Sequence, residues 1–228
     1  MKKITLSLIL CLWAASAWAF PPGFIGSITQ NATGGTSTVV LSDAFDEASD
    51  TALASHPPNT GGTWVTATGT WTVVGGAGWV KKAADTSTVI YPVYNQTSST
   101  ITDFSATATV RWLYAANSGL GNGICRLDTN RSGYCAYLLQ NGGSPYTLSI
   151  RKFTNGSDAG ILVSSSTTIT GSTSDRHLTF TAVGATLTAT VTDDNTTITW
   201  NDSTYSSGYP GICMRGADNY IKTVEFTE

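Results

Sequence analysis

The sequence predicts an all-β protein, a sandwich of two antiparallel sheets, and three observations carry that expectation. First, Ser and Thr fill roughly a quarter of the chain, taking places that charged residues usually hold. Charged residues make up only 12%, and there are 23 Gly. Thr suits a pleated strand and Gly suits a turn. Second, short strand-like runs recur with turn residues between them along most of the chain. Third, several runs alternate apolar and hydroxyl residues with a period of two, as a sheet with one wet face requires. Ala, Leu, Glu, Lys and Arg are together too sparse for a long-helix protein. With 41% hydrophobic and 10% aromatic residues, the chain can build a core, which argues against disorder. A formal net charge of -3 and an isoelectric point near 5.3 argue against a nucleic-acid partner.

Taken in order, residues 1–19 read as an export signal. Lys2 and Lys3 precede an apolar run from Ile4 to Ala15, and Ala17-Trp18-Ala19 offers the small residues a signal peptidase reads. Cleavage there makes Phe20 the first residue. The alternative is an uncleaved N-terminal anchor, although the run falls short of the about 20 residues of a spanning helix. Residues 20–38, with Pro21-Pro22-Gly23 and a Gly/Thr/Ser-rich stretch, read as a linker or leader strand. Residues 39–228 then form one sandwich domain.

Within that domain the strand expectations are 38–41, 70–74, 87–91, 104–114, 121–128, 133–140, 146–153, 177–183, 186–192, 196–200 and 219–226. Alternation assigns their faces. Phe104, Ala106, Ala108, Val110, Trp112 and Tyr114 fall on one side and belong in the core, against Ser105, Thr107, Thr109 and Arg111. Leu178, Phe180 and Ala182, then Leu187, Ala189 and Val191, alternate with Thr in the same way. Val183-Gly184-Ala185-Thr186 joins these two strands as a tight hairpin, and Asp193-Asp194-Asn195 makes the next turn. Thr179, Thr181, Thr188 and Thr190 form a Thr grid of the kind some ice-binding surfaces use; Thr is also the default solvent-facing strand residue.

The order of several segments resembles a known family over about 180 residues. Asp43-Ala44-Phe45-Asp46, His56-Pro57-Pro58, Gly61-Gly62-Thr63-Trp64 and Gly69-Thr70-Trp71-Thr72-Val73 look like the start of a concanavalin A-like (laminin G-like) jelly-roll domain. The version is one found in environmental bacteria and phage surface proteins. Ala108-Thr109-Val110-Arg111-Trp112, the Gly123-Ile124-Cys125-Arg126 and Tyr134-Cys135-Ala136-Tyr137 hairpin, Tyr146-Thr147-Leu148-Ser149-Ile150, and Asp202-Ser203-Thr204-Tyr205 continue the resemblance. It implies a jelly roll, and it leaves function open among glycan binders, adhesins, glucanases, lyases and structural modules.

Catalytic motifs of that family are not matched. Its glucanases carry paired glutamates and an aspartate on one strand, because sugar hydrolysis needs an acid and a nucleophile or base. Residues 20–228 hold only Glu47, Glu225 and Glu228, with no Glu-x-Asp-x-x-Glu run. The Gln-x-His and Arg-rich strands of its lyases are missing as well. His56 reads as a loop-packing residue rather than a ligand or base, since no second His is near it in sequence.

Binding is therefore the first expectation. A sugar stacks its C–H face on an exposed aromatic ring and takes hydrogen bonds from neighbouring polar groups. Arg111, Tyr137, Arg151 and Phe153 form a candidate glycan-binding set on the face opposite the core, with Trp200 and Tyr205 as a rim. Because the chain ends meet in this family, Asp43, Asp46 and Asp218 are a candidate set for a structural Ca²⁺. Three cysteines remain beyond the leader. Cys125 and Cys135 lie symmetrically about Asn130, so a hairpin centred there sets them opposite each other for a disulfide. A bond from Cys213 to either, or three free thiols in a reducing compartment, are the rivals. No CxxC spacing is present, which argues against a structural zinc.

The expectation is a secreted, periplasmic or surface-displayed module that binds a carbohydrate or cell-surface ligand without catalysis. A structural virion or surface-layer component, assembling with its own copies, is the alternative. A polysaccharide hydrolase or lyase is the second.

Overall fold

The computed structural model describes residues 37–66, 70–83, 89–113, 118–142, 144–170, 173–217 and 219–228. The signal, anchor and linker expectations for 1–36 lie outside the described residues, as do Tyr114 and Asp218. Among the described residues no helix is long and apolar enough to cross a membrane.

Among the described residues, sixteen strands build two antiparallel sheets. The first part of the chain contributes β1 (Val39–Asp43), β2 (Thr51–Ala52), β3 (Thr63–Val65), β4 (Trp71–Val74), β5 (Trp79–Lys82) and β6 (Tyr91–Gln96). The long strands follow: β7 (Phe104–Trp112), β8 (Ser118–Leu127), β9 (Gly133–Asn141), β10 (Ser144–Thr154) and β11 (Ser157–Ser166). Then come β12 (Arg176–Val183), β13 (Thr186–Val191), β14 (Thr196–Asn201), β15 (Tyr209–Arg215) and β16 (Asn219–Thr227). One sheet has nine strands in the order β14-β13-β12-β7-β16-β5-β4-β2, with β1 also on β16. The other has seven, in the order β11-β10-β9-β8-β15-β6-β3.

The predicted alternation holds on the nine-stranded sheet. Phe104, Val110, Trp112, Leu178, Phe180, Leu187 and Val191 are all buried between the sheets, each worth about 1.5–3 kcal/mol of burial. Trp112 on β7 meets Tyr146 on β10 with ring centroids 4.9 Å apart, tying one sheet to the other. The expected hairpin is present: Val183 pairs with Thr186, and Gly184 takes the positive φ of 57° that a two-residue turn demands.

Strands β2, β3, β5 and β11 escape the sequence reading, β15 is absent from the expected runs, and β6 (Tyr91–Gln96) meets the expected 87–91 only at Tyr91. The first three are two to four residues long, too short to show a period. β11 is long but largely exposed, and its Ser-rich end lacks an apolar face. It is the last strand of its sheet and carries two register shifts against β10, a common device for blunting an edge. A short 3-10 turn, Leu53–Ser55, sits before His56.

The seven-stranded sheet breaks the one-wet-face expectation. Residues 121–127 of β8, 133–138 of β9 and 210–214 of β15 are buried without interruption. Ile124, Ala136, Leu138 and Ile212 face the main core, while Cys125, Leu127, Cys135, Tyr137, Phe153 and Cys213 form a second apolar cluster.

Candidate functional site

Residues proposed as one binding face are divided by the fold. Arg111 lies on β7 of the nine-stranded sheet, whereas Tyr137, Arg151 and Phe153 lie on β9 and β10 of the other. The four cannot share a surface. Arg111 sits 5.8 Å from the Trp79 ring, with its guanidinium 3.9 Å from Asp175. Tyr137 and Phe153 do point away from the main core, but they are buried in the second cluster and offer no platform to a sugar. Arg151 is ion-paired with Asp158 and lies 5.3 Å from the Tyr137 ring. The sequence error was to equate the face opposite the core with solvent.

Trp200 and Tyr205 are placed differently. Trp200 has inward parity, since it pairs with buried Leu187. β14 is the last strand of its sheet, so the indole runs out of neighbours and stays 40% exposed. Asp202 follows two residues on and opens a loop that reaches the seven-stranded sheet. Its carboxylate accepts hydrogen bonds from the Tyr134 hydroxyl at 2.6 Å, the Thr204 amide at 2.7 Å and the Lys152 ammonium at 3.1 Å. Lys152 also donates to the Thr204 hydroxyl at 2.8 Å and lies 5.5 Å from the Tyr205 ring. The Tyr205 hydroxyl meets Thr154 Oγ1 at 3.3 Å.

Beneath this loop lies Arg126, buried, which donates to the carbonyls of Thr102 and Tyr205. A buried guanidinium with two backbone acceptors fixes where Tyr205 sits. Burial would raise the Asp202 pKa, yet the Thr204 and Tyr134 hydroxyls, the Thr204 amide and Lys152 together hold it well below the ordinary carboxylate value. Burial, and then the hydrogen bond to Asp202, push the Tyr134 phenol up, so it stays a donor. The result is a seam where the two sheets meet, bearing a half-exposed indole, a tyrosine ring, a fixed cation and hydroxyls. No sequence signal marked Lys152 or Arg126, because their partners come from other strands and loops, 24 to 79 residues away in sequence.

The acidic set proposed for Ca²⁺ is not assembled among the described residues. Asp43 is buried, and its Oδ1 accepts from His56 Nε2 at 2.8 Å and from the Phe45 amide at 2.9 Å. Its Oδ2 accepts from Trp64 Nε1 at 2.8 Å. Both oxygens are therefore occupied. Asp46 is exposed, and Asp218 lies outside the described residues. His56 bonds Glu47 through Nδ1 at 2.8 Å, so both ring nitrogens face carboxylates. Burial alone would lower the His56 pKa, but Asp43 and Glu47 outweigh it and raise it. The triad is a packing device that closes the loop after β1, as the loop-packing reading of His56 expected.

The cysteines meet the expected register: Cys125 stands directly opposite Cys135 across β8 and β9. All three are free thiols in the structure, and Cys213 joins the pair from β15.

No protein-family model and no curated protein matches this chain. Solved structures do. A carbohydrate-binding module, CBM66 from Bacillus subtilis, superposes with a TM-score of 0.53 at 21% identity, covering 70% of this chain and 91% of that one. The chain has the concanavalin A-like fold. A β-glucanase of Bacillus licheniformis shares this concanavalin A-like jelly roll with a TM-score of 0.54 at 11% identity, over 85% of this chain and 99% of that one. So does the CBM2 module of the evolved Dit protein from Lactobacillus casei BL23 phage J-1, with a TM-score of 0.52 at 13% identity, over 84% and 96%. Against that concanavalin A-like frame, none of Glu47, Glu225 and Glu228 lies on the seven-stranded sheet.

Proposed function

We propose that this chain is a non-catalytic, surface-displayed glycan-binding module whose ligand lies along the seam at Trp200 and Tyr205. The observation that carries the reading is the exposed Trp200 indole, two residues before Asp202 of a prearranged Lys152–Asp202–Thr204 network. An aromatic face takes the C–H side of a pyranose, and the ammonium and hydroxyls take its oxygens. Arg126 holds the loop in place before ligand arrives, which lowers the ordering cost of binding. The fold neighbours that carry carbohydrate-binding names support the ligand class. Glu225 lies on β16 while Glu47 and Glu228 lie outside the strands, so no strand carries a glutamate pair, which supports the absence of hydrolysis.

A carbohydrate array run with and without EDTA tests ligand class and calcium together. Binding at micromolar affinity that survives EDTA is the expected result. Release of reducing ends or unsaturated uronates from a polysaccharide panel would sink the non-catalytic reading. The likeness to a module of a phage Dit protein favours a second reading, in which the domain serves virion assembly. A blank array together with recovery of the chain in purified virions would replace the first reading with that one.

A further inference from the structure

Three adjacent strands, β9, β8 and β15, bring Cys135, Cys125 and Cys213 to one face. Cys135 Sγ lies 2.7 Å from Cys125 Sγ and 2.7 Å from Cys213 Sγ, and all three sulfurs lie within 4.8 Å of one another. Residue 123 makes this convergence work. Gly123 pairs with Cys213 on one side and Tyr137 on the other, and a Cβ there would stand 2.7 Å from Cys135 Sγ and 2.8 Å from Cys213 Sγ. The space that any side chain at 123 would fill is the space where the sulfurs meet.

We propose that in its reduced form this cluster is a three-thiolate site for a soft d¹⁰ cation of the Cu(I) class. Thiolates at about 2.3 Å from a shared ion stand about 4 Å apart, a spacing between the closest and the widest that the cluster spans. Soft sulfur ligands select Cu(I) or Zn(II) over the hard, strongly hydrated Ca²⁺ and Mg²⁺. Among the described residues no His or carboxylate joins as a fourth ligand, which suits three-coordinate Cu(I) better than four-coordinate zinc. All three cysteines are fully buried, so the site is closed to competing water ligands.

A second observation points the same way. Around the cluster, the Tyr137 hydroxyl, Arg151 Nε and Arg215 Nε are buried and make no hydrogen bond. Arg151 pairs with Cys135 across β9 and β10, and Arg215 is two residues from Cys213. Three thiolates around one monovalent ion leave an excess of negative charge, and two guanidiniums and a phenol are what such an anionic complex takes as outer partners. On binding, each ligating thiol releases its proton to solvent, three sulfur–metal bonds form, and no electron moves.

The sequence concealed this. Spacings of ten and seventy-eight residues carry no metal motif, and only the strand order makes 125, 135 and 213 neighbours.

The test is anaerobic titration of the reduced full chain with Cu(I), held in a chromophoric bicinchoninate buffer, and in parallel with Cd(II). The expected result is one ion per chain, a sulfur-to-metal charge-transfer band, and protection of three thiols from alkylation. Cys213→Ser should weaken binding by about 100-fold, whereas Cys11→Ser should leave it unchanged. Affinity in Cys213→Ser equal to the parent's, or loss of binding in Cys11→Ser, overturns the site. If Cys213→Ser fails to fold, alkylation of the parent chain decides: three thiols equally reactive with and without Cu(I) overturn it.

Discussion

The outer row of the nine-stranded sheet reads Thr197, Thr190, Thr179, Thr107. The outer row of the seven-stranded sheet reads Gly211, Cys125, Cys135, Arg151. In the first, hydroxyls face water and bond each other, as between Thr190 and Thr197 at 2.9 Å. In the second, the thiols are buried, as are Tyr137 and Phe153 on the same side of that sheet. Both rows follow a period of two, yet only one is wet. Period fixes which residues share a side; composition of that side decides whether it is solvated.

The largest expected effect tests that contrast directly. Phe153→Ala removes a fully buried ring from the second cluster and should cost about 3–5 kcal/mol. Thr190→Ala on the other sheet should stay within about 0.5 kcal/mol. Urea denaturation of both variants measures the difference. Equal costs would mean that the seven-stranded sheet's outer side is not a second core.

How far the sequence was legible follows the same line. On β7, β12 and β13, where Thr alternates with Ala, Leu and Phe, face and hairpin were readable residue by residue. On β9 the run Tyr134-Cys135-Ala136-Tyr137-Leu138 is apolar on both sides, and periodicity could not say which side met water. Tyr137 and Phe153 were misplaced for that reason. Arg111 was misplaced because sequence shows no strand order. Trp200 and Tyr205 were singled out beside a turn, and the structure leaves the first exposed and the second half-buried; Lys152 was not singled out, since its partner Asp202 is fifty residues away.

The Asp43–His56–Glu47 triad ties the end of β1 to the loop that follows it and, through Trp64, to β3. Asp43→Asn strips the charge that His56 and Trp64 face, and should destabilise the fold by about 3 kcal/mol. His56 has a folded pKa raised above its free value of about 6.5. Its contribution is thus fully present below that free value and is lost as pH rises through the folded pKa. Stability measured across that window should fall with rising pH in the parent and flatten in His56→Gln. A parent profile that rises there would show that the imidazole is held neutral.

Oxidation should act on the cysteine-bearing face alone. Cys125 and Cys135 are directly opposed, while Cys213 reaches Cys135 only across Gly123 on the intervening strand. Two strand spacings of about 4.8 Å exceed the Cα separation that a disulfide accepts. We therefore expect a Cys125–Cys135 bond with Cys213 left as a thiol, adding about 2–3 kcal/mol for so short a loop. Non-reducing peptide mapping of oxidised protein checks this. A crosslinked peptide containing Cys213 would contradict it.

The smallest expected effect falls where the two sheets meet. Trp200 is inward by parity and outward by position, so truncating it should cost little stability. If a glycan stacks there, Trp200→Ala loses the aromatic face, worth about 1.4 kcal/mol or tenfold in affinity. Tyr205→Phe keeps the ring and removes the hydroxyl that meets Thr154, so it should weaken binding by less. Lys152→Met separates charge from packing: it retains the stem over Tyr205 but removes the ammonium that Asp202 and Thr204 share. Loss of affinity in Trp200→Ala and Lys152→Met, with unchanged melting temperature in Trp200→Ala, places the ligand on the seam. Affinity unaltered in Trp200→Ala but abolished in Arg111→Ala would instead put it on the outer side of the nine-stranded sheet. There the Arg111 guanidinium lies 5.8 Å from the Trp79 ring, Trp79 packs on Tyr220, and Tyr220 lines a pocket of about 510 Å³ with Lys81 and Leu113.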